Sequence, residues 1–284
     1  MSVSKVHTSN SVEESRDFKW IRKRPGQNGA ELLAIGRTRS DYLIRYHGVA
    51  DYEFSPSNRS VSWQINAADS DIDRAVHLGM NQVVPMALST QDRLLLHASA
   101  IRLSNGTVVA FSGPSGIGKS TLARSLSKRD RIQRVADDWI SIETGRVPPR
   151  ASAYPESICD TIDSLSDNPS NRSLPETAQQ REFHLDEIES HKSDAHPLSI
   201  IYILREPATD NRISINRLGP KQAFVDLAKN LFRLDPSNHK QLHKEVALLT
   251  ELLKSTSVFS LSYPRRKDRL TSLIKQVLTH RSNE

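Results

Sequence analysis

The sequence predicts an α/β fold that leans towards α+β: a phosphate-loop domain on a mixed, largely antiparallel sheet, preceded by a small N-terminal β-meander. Short strand-like runs separated by turn residues lie near the start of the chain. Residues 113–120 then fit the phosphate-loop pattern G-x-x-x-x-G-K-S between an apolar run and a helix pattern. The apolar run that enters this loop is the second arm of a predicted hairpin, which favours a mixed sheet over an all-parallel one.

The N-terminal part is predicted to contain a loose segment followed by the meander. Residues 1–28 are polar and are expected to be flexible. Apolar residues at helical spacing predict a helix over residues 69–88. We divide the chain into the flexible segment 1–28, the meander with its helix at 29–90, and the phosphate-loop domain at 91–284. Whether the meander and the phosphate-loop domain share one core stays open. The strand-like runs of the meander are 31–37, 42–47, 51–54 and 61–65.

The phosphate-loop domain begins with the hairpin. Residues 94–102 predict its first strand, and Asn105-Gly106 predicts a type I′ turn into the second. Residues 121–128 predict the helix after the loop, whereas residues 144–196 are polar and rich in turn residues. The remaining predicted elements are strands at 198–204, 213–215 and 258–261 and helices at 222–231, 242–254 and 269–278.

Composition narrows the class of protein. The chain has 284 residues, a net charge of +6 and a single cysteine, Cys159, so it has no internal disulfide and is expected in a reducing compartment. The N-terminus is polar and no stretch is long and apolar enough for a membrane span, so we expect a cytoplasmic protein without a membrane partner. A basic chain favours an acidic partner. Zinc-ligand spacing is absent and aromatic residues make up only 6%, so a nucleic-acid partner is not expected.

The phosphate loop is the strongest functional signal. Its glycines let backbone N–H groups turn towards phosphate oxygens, and the helix that starts at the loop presents its positive end to the anion. The lysine of the pattern reaches the β- and γ-phosphates, and the serine after it holds Mg²⁺. The sequence therefore predicts Mg²⁺ and ATP as cofactors, with GTP left open, bound by Gly113, Pro114, Ser115, Gly116, Ile117, Gly118, Lys119, Ser120 and Thr121.

Asp137 and Asp138 form the second candidate group, eighteen residues after Lys119. In phosphate-loop enzymes an acid on a neighbouring strand completes the Mg²⁺ site. Neighbours on a regular strand point to opposite faces, so both acids reach one nucleotide only where the strand ends or bends. Two carboxylates near one phosphate also repel each other, which makes one of them a candidate base.

His97 is the third candidate, in the hairpin strand that pairs with the strand entering the loop. A histidine there can hold a carboxylate in position or share a proton with it. The alternative is a histidine that only packs in the core of an apolar strand, and periodicity alone favours that alternative.

These segments together resemble the catalytic domain of HPr kinase/phosphorylase. The residues that carry the resemblance are Leu96-His97-Ala98-Ser99-Ala100, Phe111 to Ser120, and Val135-Ala136-Asp137-Asp138. The resemblance implies a fold similar to phosphoenolpyruvate carboxykinase and an ATP-dependent kinase. It also implies that Asp137 is the general base, that His97 supports it, and that Asp138 joins Ser120 at the metal; which acid has which role stays open.

Two departures from that family refine the expectation. Residues 1–90 do not resemble the family's N-terminal regulatory domain, and its glycine-rich signature after the acid pair is not found between Thr144 and Leu198. The chain is more similar to the short relatives that phosphorylate a serine of lasso-peptide precursors. The resemblance therefore implies kinase activity rather than phosphorylase activity.

Three functions compete at this point. The first is a serine kinase that acts on a peptide or small protein, HPr-like or lasso-precursor-like; the second is a small-molecule kinase on the same scaffold; the third is a nucleotide-binding regulator without transfer activity. Intact acids and His97 argue against the regulator, because a regulator does not need a base. A basic run at residues 263–269 favours an acidic acceptor. The sequence names neither the acceptor nor the oligomeric state, and a homo-oligomer is one option.

Overall fold

Two β-sheets flanked by helices make up the described part of the chain. The structure is a computed structural model, and it describes residues 18–26, 31–65, 72–154, 180–206, 212–264 and 269–282. The predicted fold class, helices with a mixed, largely antiparallel sheet and an N-terminal meander, is confirmed.

The first sheet is antiparallel and contains the meander. Its strands follow chain order, and a strand from later in the chain pairs with the last of them. The sheet therefore crosses the predicted boundary at residue 90. Its six strands, in order, are β1 (Lys19–Pro25), β2 (Glu31–Arg37), β3 (Tyr42–Tyr46), β4 (Ala50–Ser55), β5 (Ser60–Ile65) and β11 (Gln180–His184).

The second sheet is mixed and contains the hairpin that leads to the phosphate loop. Its strands are β10 (Arg150–Ser152), β9 (Trp139–Glu143), β6 (Leu94–Arg102), β7 (Val108–Ser112), β12 (His196–Arg205), β14 (Ser257–Ser262) and β13 (Ser214–Arg217), with β8 (Gln133–Ala136) paired to β6. Strands β7, β12 and β14 are parallel to one another, whereas the other pairings are antiparallel. Since parallel strands end at the same edge, the chain leaves β7, β12 and β14 on one side of the sheet.

The helices cover both sheets. Among the described residues, no helix is both long and apolar enough to cross a membrane. The helices are α1 (Ile72–Leu78), which continues through a π-helical turn (Gly79–Val83) into α2 (Val84–Leu88), then α3 (Lys119–Leu126), α4 (Leu185–Ser190), α5 (Pro220–Lys229), α6 (His239–Ser255) and α7 (Leu270–Ser282).

Three elements differ from the sequence prediction for physical reasons. Strand β1 lies within the segment expected to be flexible. Its charged sequence shows no strand pattern, and pairing with β2 holds it as a strand. The predicted helix at 69–88 contains a π-helical turn, because Pro85 has no N–H to donate to the preceding turn. The predicted type I′ turn is wrong: Gly106 has a positive φ of 81° but Asn105 does not, and Gly106 N donates to Leu103 O.

The polar region 144–196 contains more structure than the sequence indicates. Strand β10 pairs with both β9 and β12. Strand β11 pairs with β5 at the end of the first sheet, and α4 follows it directly. Residues 155–179 and the basic run at 265–268 lie outside the described residues.

A short segment, residues 230–235, joins the two sheets. On one side His97 N donates to Asn230 O and Phe232 N donates to Leu95 O, so the segment extends the second sheet along β6. On the other side Arg22 Nη1 donates to Arg233 O at 3.3 Å. We call residues 230–235 the joining segment.

Asp235 ends the joining segment and binds the first sheet directly. Its carboxylate is buried and accepts from Arg37 Nη1 at 2.5 Å and from Tyr42 at 3.4 Å. The backbone N–H and the hydroxyl of Ser237 donate to the other oxygen. Burial raises the pKa of Asp235, but these hydrogen bonds and the charge of Arg37 outweigh burial and keep that pKa below its ordinary value.

We expect Asp235→Ala to lower the free energy of unfolding by about 1–3 kcal/mol, because it leaves the buried Tyr42 hydroxyl and the half-buried Arg37 guanidinium without their acceptor. Urea unfolding monitored by circular dichroism measures this change. Asp130→Ala, at an exposed carboxylate, is the matched control. Equal stability of the two variants would show that Asp235 does not hold the sheets together.

Candidate functional site

The phosphate loop lies at the edge where the parallel strands end. Gly113 directly follows β7, and Gly118 precedes the first residue of α3. In open sheets with parallel strands, ligands bind outside the carboxyl ends of the strands. The loop and the positive end of α3 therefore lie where an anionic ligand is expected.

All three glycines of the loop have a positive φ, and at two of them a side chain would also approach neighbouring atoms closely. Gly118 has a φ of 101°, and a Cβ there would lie 2.9 Å from the Tyr263 hydroxyl oxygen beyond β14. Gly113 has a φ of 146°, and its Cβ would lie 3.1 Å from Leu204 O in β12. The loop thus packs against β12 and against Tyr263, the residue after β14, and these contacts restrict its shape.

The other loop residues divide into an exposed crest and a buried base. Pro114, Ser115 and Gly116 are exposed, and Thr121 is exposed on the first turn of α3. Ile117 is buried in the core formed by α3, α7 and the parallel strands. This division leaves the crest free to contact a ligand while Ile117 anchors the loop.

Lys119 is buried and points back into the loop. Its Nζ donates to Gly113 O and Pro114 O, each at 3.0 Å. Burial lowers the pKa of Lys119 to about 8, although the nearby carboxylate of Asp138 acts in the opposite direction. A bound triphosphate would supply the negative charge that this buried ammonium lacks.

The acid pair lies in the bend between β8 and β9, so its members face different neighbours. Asp137 Oδ2 accepts from Arg134 Nη1 at 2.6 Å and lies 3.5 Å from Arg124 Nη2. Asp137 Oδ1 is buried and accepts no hydrogen bond from the residues that the structure describes. One oxygen of this carboxylate is therefore occupied and the other is available.

Ser99 connects Asp137 to the phosphate loop. This buried side chain donates to the backbone oxygen of Asp137 at 2.5 Å, and its Oγ lies 3.4 Å from Ser120 Oγ. Sequence reasoning missed this residue, although Ser99 lies two residues after His97 and so points to the same face of β6.

Asp138 and His97 face a cavity of about 530 Å³ beside the loop crest, with Pro114 and Ser115 in its wall. The His97 ring lies 5.8 Å from the Phe232 ring, centroid to centroid, and within the described residues it makes no hydrogen bond to either aspartate. Burial, together with the charge of Lys119, lowers the pKa of His97 to about 4. The imidazole is therefore neutral near neutral pH.

The oxygen donors at this edge fit a magnesium ion. Mg²⁺ prefers oxygen ligands and is usually held by one or two carboxylates together with substrate phosphates. Ser120 Oγ and the unpartnered Oδ1 of Asp137 belong to residues that Ser99 connects. In the described ranges no cluster of three or more His, Cys, Asp or Glu is arranged as a protein-only metal site, so phosphate oxygens would complete the coordination.

Comparisons with known proteins yield a distant likeness of fold. No protein-family model and no curated protein sequence matches the chain. The structure is similar to that of the Hpr(Ser) kinase/phosphatase from Coxiella burnetii, at 13% identity and a TM-score of 0.34, over 66% of this chain and 97% of that chain. A likeness at this level assigns no activity, which has to be inferred from the residues of the site.

We expect the affinity for MgATP to fall as the pH rises above about 8, because the ammonium of Lys119 is then lost. Linkage of one proton permits a loss of up to about tenfold per pH unit. Isothermal titration calorimetry from about pH 7 to about pH 9.5 spans the shifted pKa of Lys119 and stays below the ordinary lysine pKa of roughly 10.4.

Lys119→Arg is the matched variant for this titration, because a guanidinium stays charged throughout the range. Its affinity, even if weaker, is expected not to vary with pH. A wild-type affinity that stays constant to about pH 9.5 would contradict the placement of Lys119 at the phosphates.

Proposed function

We propose that the chain is an ATP-dependent serine kinase that transfers the γ-phosphate of ATP to a serine hydroxyl of a peptide or small protein. The observation that carries this proposal is the cavity in which the loop crest, Asp138 and His97 meet. A hydroxyl bound there lies between a phosphate donor and a carboxylate that can accept a proton.

The reaction requires one bond to form and one to break. The serine oxygen bonds to the γ-phosphorus, the bond from that phosphorus to the β,γ-bridging oxygen breaks, and ADP leaves with that oxygen. The hydroxyl proton passes to a carboxylate. Lys119 and the loop N–H groups stabilise the phosphate charge, which is the main protein contribution in phosphoryl transfer.

We assign the base to Asp138 and the metal to Asp137 with Ser120. The family resemblance implies the reverse division, but the contacts of the two carboxylates favour this one. Asp138 faces the cavity, where an acceptor would bind, whereas Asp137 is held by Arg134 and keeps one buried oxygen without a partner. Mg²⁺, when bound, would neutralise phosphate charge at Ser120 and Asp137.

His97 acts in this proposal as a positioning residue. Its neutral imidazole lines the same cavity as Asp138 and does not add a positive charge beside the carboxylate. The imidazole can therefore form a hydrogen bond with the substrate serine, as donor or as acceptor, without competing with Lys119 for the phosphates.

A small-molecule kinase is the second candidate, because a cavity of this volume also suits a small ligand. A regulator without transfer activity is less well supported, because the carboxylate and the loop lie at one cavity. Incubation with γ-labelled ATP separates the three: label on serine-containing peptides supports the proposal, label on small metabolites supports the alternative, and no label on any acceptor supports the regulator.

The linkage in the product tests the reaction more sharply. We expect the label on the acceptor to survive acid, because a phosphoserine ester is stable where a phosphohistidine or an acyl phosphate hydrolyses. Acid-labile label would exclude a serine hydroxyl as the acceptor.

We expect Asp138→Asn to reduce phosphate transfer by at least about a hundredfold, the usual contribution of a general base, while its MgATP affinity changes little. Asp137→Asn should instead weaken MgATP binding relative to metal-free ATP. Transfer kinetics and nucleotide titrations with and without Mg²⁺ measure both effects. The opposite pattern, with metal dependence lost in Asp138→Asn, would restore the division implied by the family resemblance.

A further inference from the structure

The cavity beside the phosphate loop has two walls from different parts of the chain. The loop crest, His97 and Asp138 form one side, and the joining segment forms the base. The opposite wall belongs to the first sheet and to the helical stretch from α1 to α2. Phosphate transfer itself requires neither of these elements. The residues of that wall are Arg22, Arg24, Leu32, Leu33, Tyr46, His77, Leu78, Asn81, Gln82 and Met86.

The lining is strongly cationic. It contains four basic residues, Arg22, Arg24, Lys229 and Arg233, and one acid, Asp138. Arg233 is paired with Glu245. Within the described ranges no carboxylate pairs with the other three cations.

The backbone brings two of these cations together. Arg22 and Arg24 are two residues apart on β1, so their side chains project from the same face of the strand. Lys23, between them, turns away and pairs with Glu31. Burial and the like charges of Arg24 and Arg233 both lower the pKa of Arg22, which shows that the cations crowd one another. Such crowding is unfavourable unless a negative group binds between them.

We propose that this cavity binds the acceptor, and that the first sheet selects a peptide segment with a carboxylate side chain near the acceptor serine. The proposal rests on the proposed kinase function and names its substrate class. Arg22, Arg24 and Lys229 receive the carboxylate, and the serine hydroxyl faces Asp138. The cavity volume of about 530 Å³ lies within the range of small-ligand pockets, roughly 300–1,000 Å³, so a short segment enters rather than a folded surface.

Two fluorescein-labelled peptides serve as probes: a serine flanked on both sides by aspartates, and the same peptide with asparagines. Fluorescence polarisation measures their binding without any catalytic step. We expect the aspartate peptide to bind the wild type about tenfold more tightly, as two or three partly exposed charge pairs provide. Aspartate and asparagine have nearly the same shape, so the ratio of the two affinities reports the effect of the carboxylate charge.

Arg24→Gln is the main variant, because Arg24 is exposed and we therefore expect its replacement to leave the fold intact. We expect the preference to fall to about fivefold in Arg24→Gln and to about twofold in Arg22→Gln/Arg24→Gln, in which Lys229 remains. The matched control is Arg39→Gln/Arg74→Gln, which removes two exposed cations that do not line the cavity and should keep the full preference.

Equal binding of the two peptides by the wild type, or an unchanged preference in Arg22→Gln/Arg24→Gln, overturns the proposal. A variant that loses MgATP affinity but keeps the peptide preference also overturns it, because the cations would then serve the nucleotide. Binding and transfer remain separable: a preserved preference without label transfer contradicts the kinase function and leaves the acceptor site standing.

Discussion

The joining segment, residues 230–235, is the constraint on which the site depends. Its backbone bonds to β6 on one side, and Arg22 and Arg37 reach it from the first sheet on the other. The hairpin strand that carries His97 and the sheet that carries the arginines are thereby held at a fixed separation. Without this connection the chain would have a phosphate loop but no closed cavity beside it.

Burial is the physical means by which the site distinguishes its charged groups. Lys119 and His97 are both buried, and burial lowers the pKa of each. The Lys119 ammonium therefore loses its proton more readily than that of an ordinary lysine, and the His97 imidazole is neutral near neutral pH. The acid pair is divided by its neighbours rather than by burial: arginines hold Asp137, while Asp138 faces the cavity. In the proposed function, this arrangement places the Lys119 cation at the phosphates and the Asp138 carboxylate at the acceptor.

Local pattern predicted the parts of the structure that local forces determine. The strand over residues 94–102 and the loop at 113–120 follow from apolar runs and glycine spacing, and the structure places them as expected. Strand β1 was missed because its sequence is charged and only its pairing with β2 makes it a strand. Strands β10 and β11 were missed in the same way, since β11 pairs with β5 far along the chain and β10 is only three residues long and is held between β9 and the more distant β12.

The candidate site shows the same limit. The sequence indicated that Asp137 and Asp138 cannot both face one ligand from a regular strand. The choice between them depends on Arg134, three residues before Asp137, and on Arg124, which approaches from α3. The cationic wall on β1 could not be predicted to lie near the loop, because long-range contacts, among them those of the joining segment, bring the two sheets together. Its sequence signal, two arginines at a spacing of two, has meaning only once β1 is known to be a strand.

A crystal structure with ADP, Mg²⁺ and aluminium fluoride tests the central claim most directly, because the fluoride occupies the place of the transferred phosphoryl group. We expect the metal on Ser120 and Asp137, the fluoride on Lys119, and the in-line oxygen opposite ADP within about 3 Å of the Asp138 carboxylate. Metal on Asp138 with the in-line oxygen facing Asp137, or an analogue bound away from the loop, would contradict this account of the site.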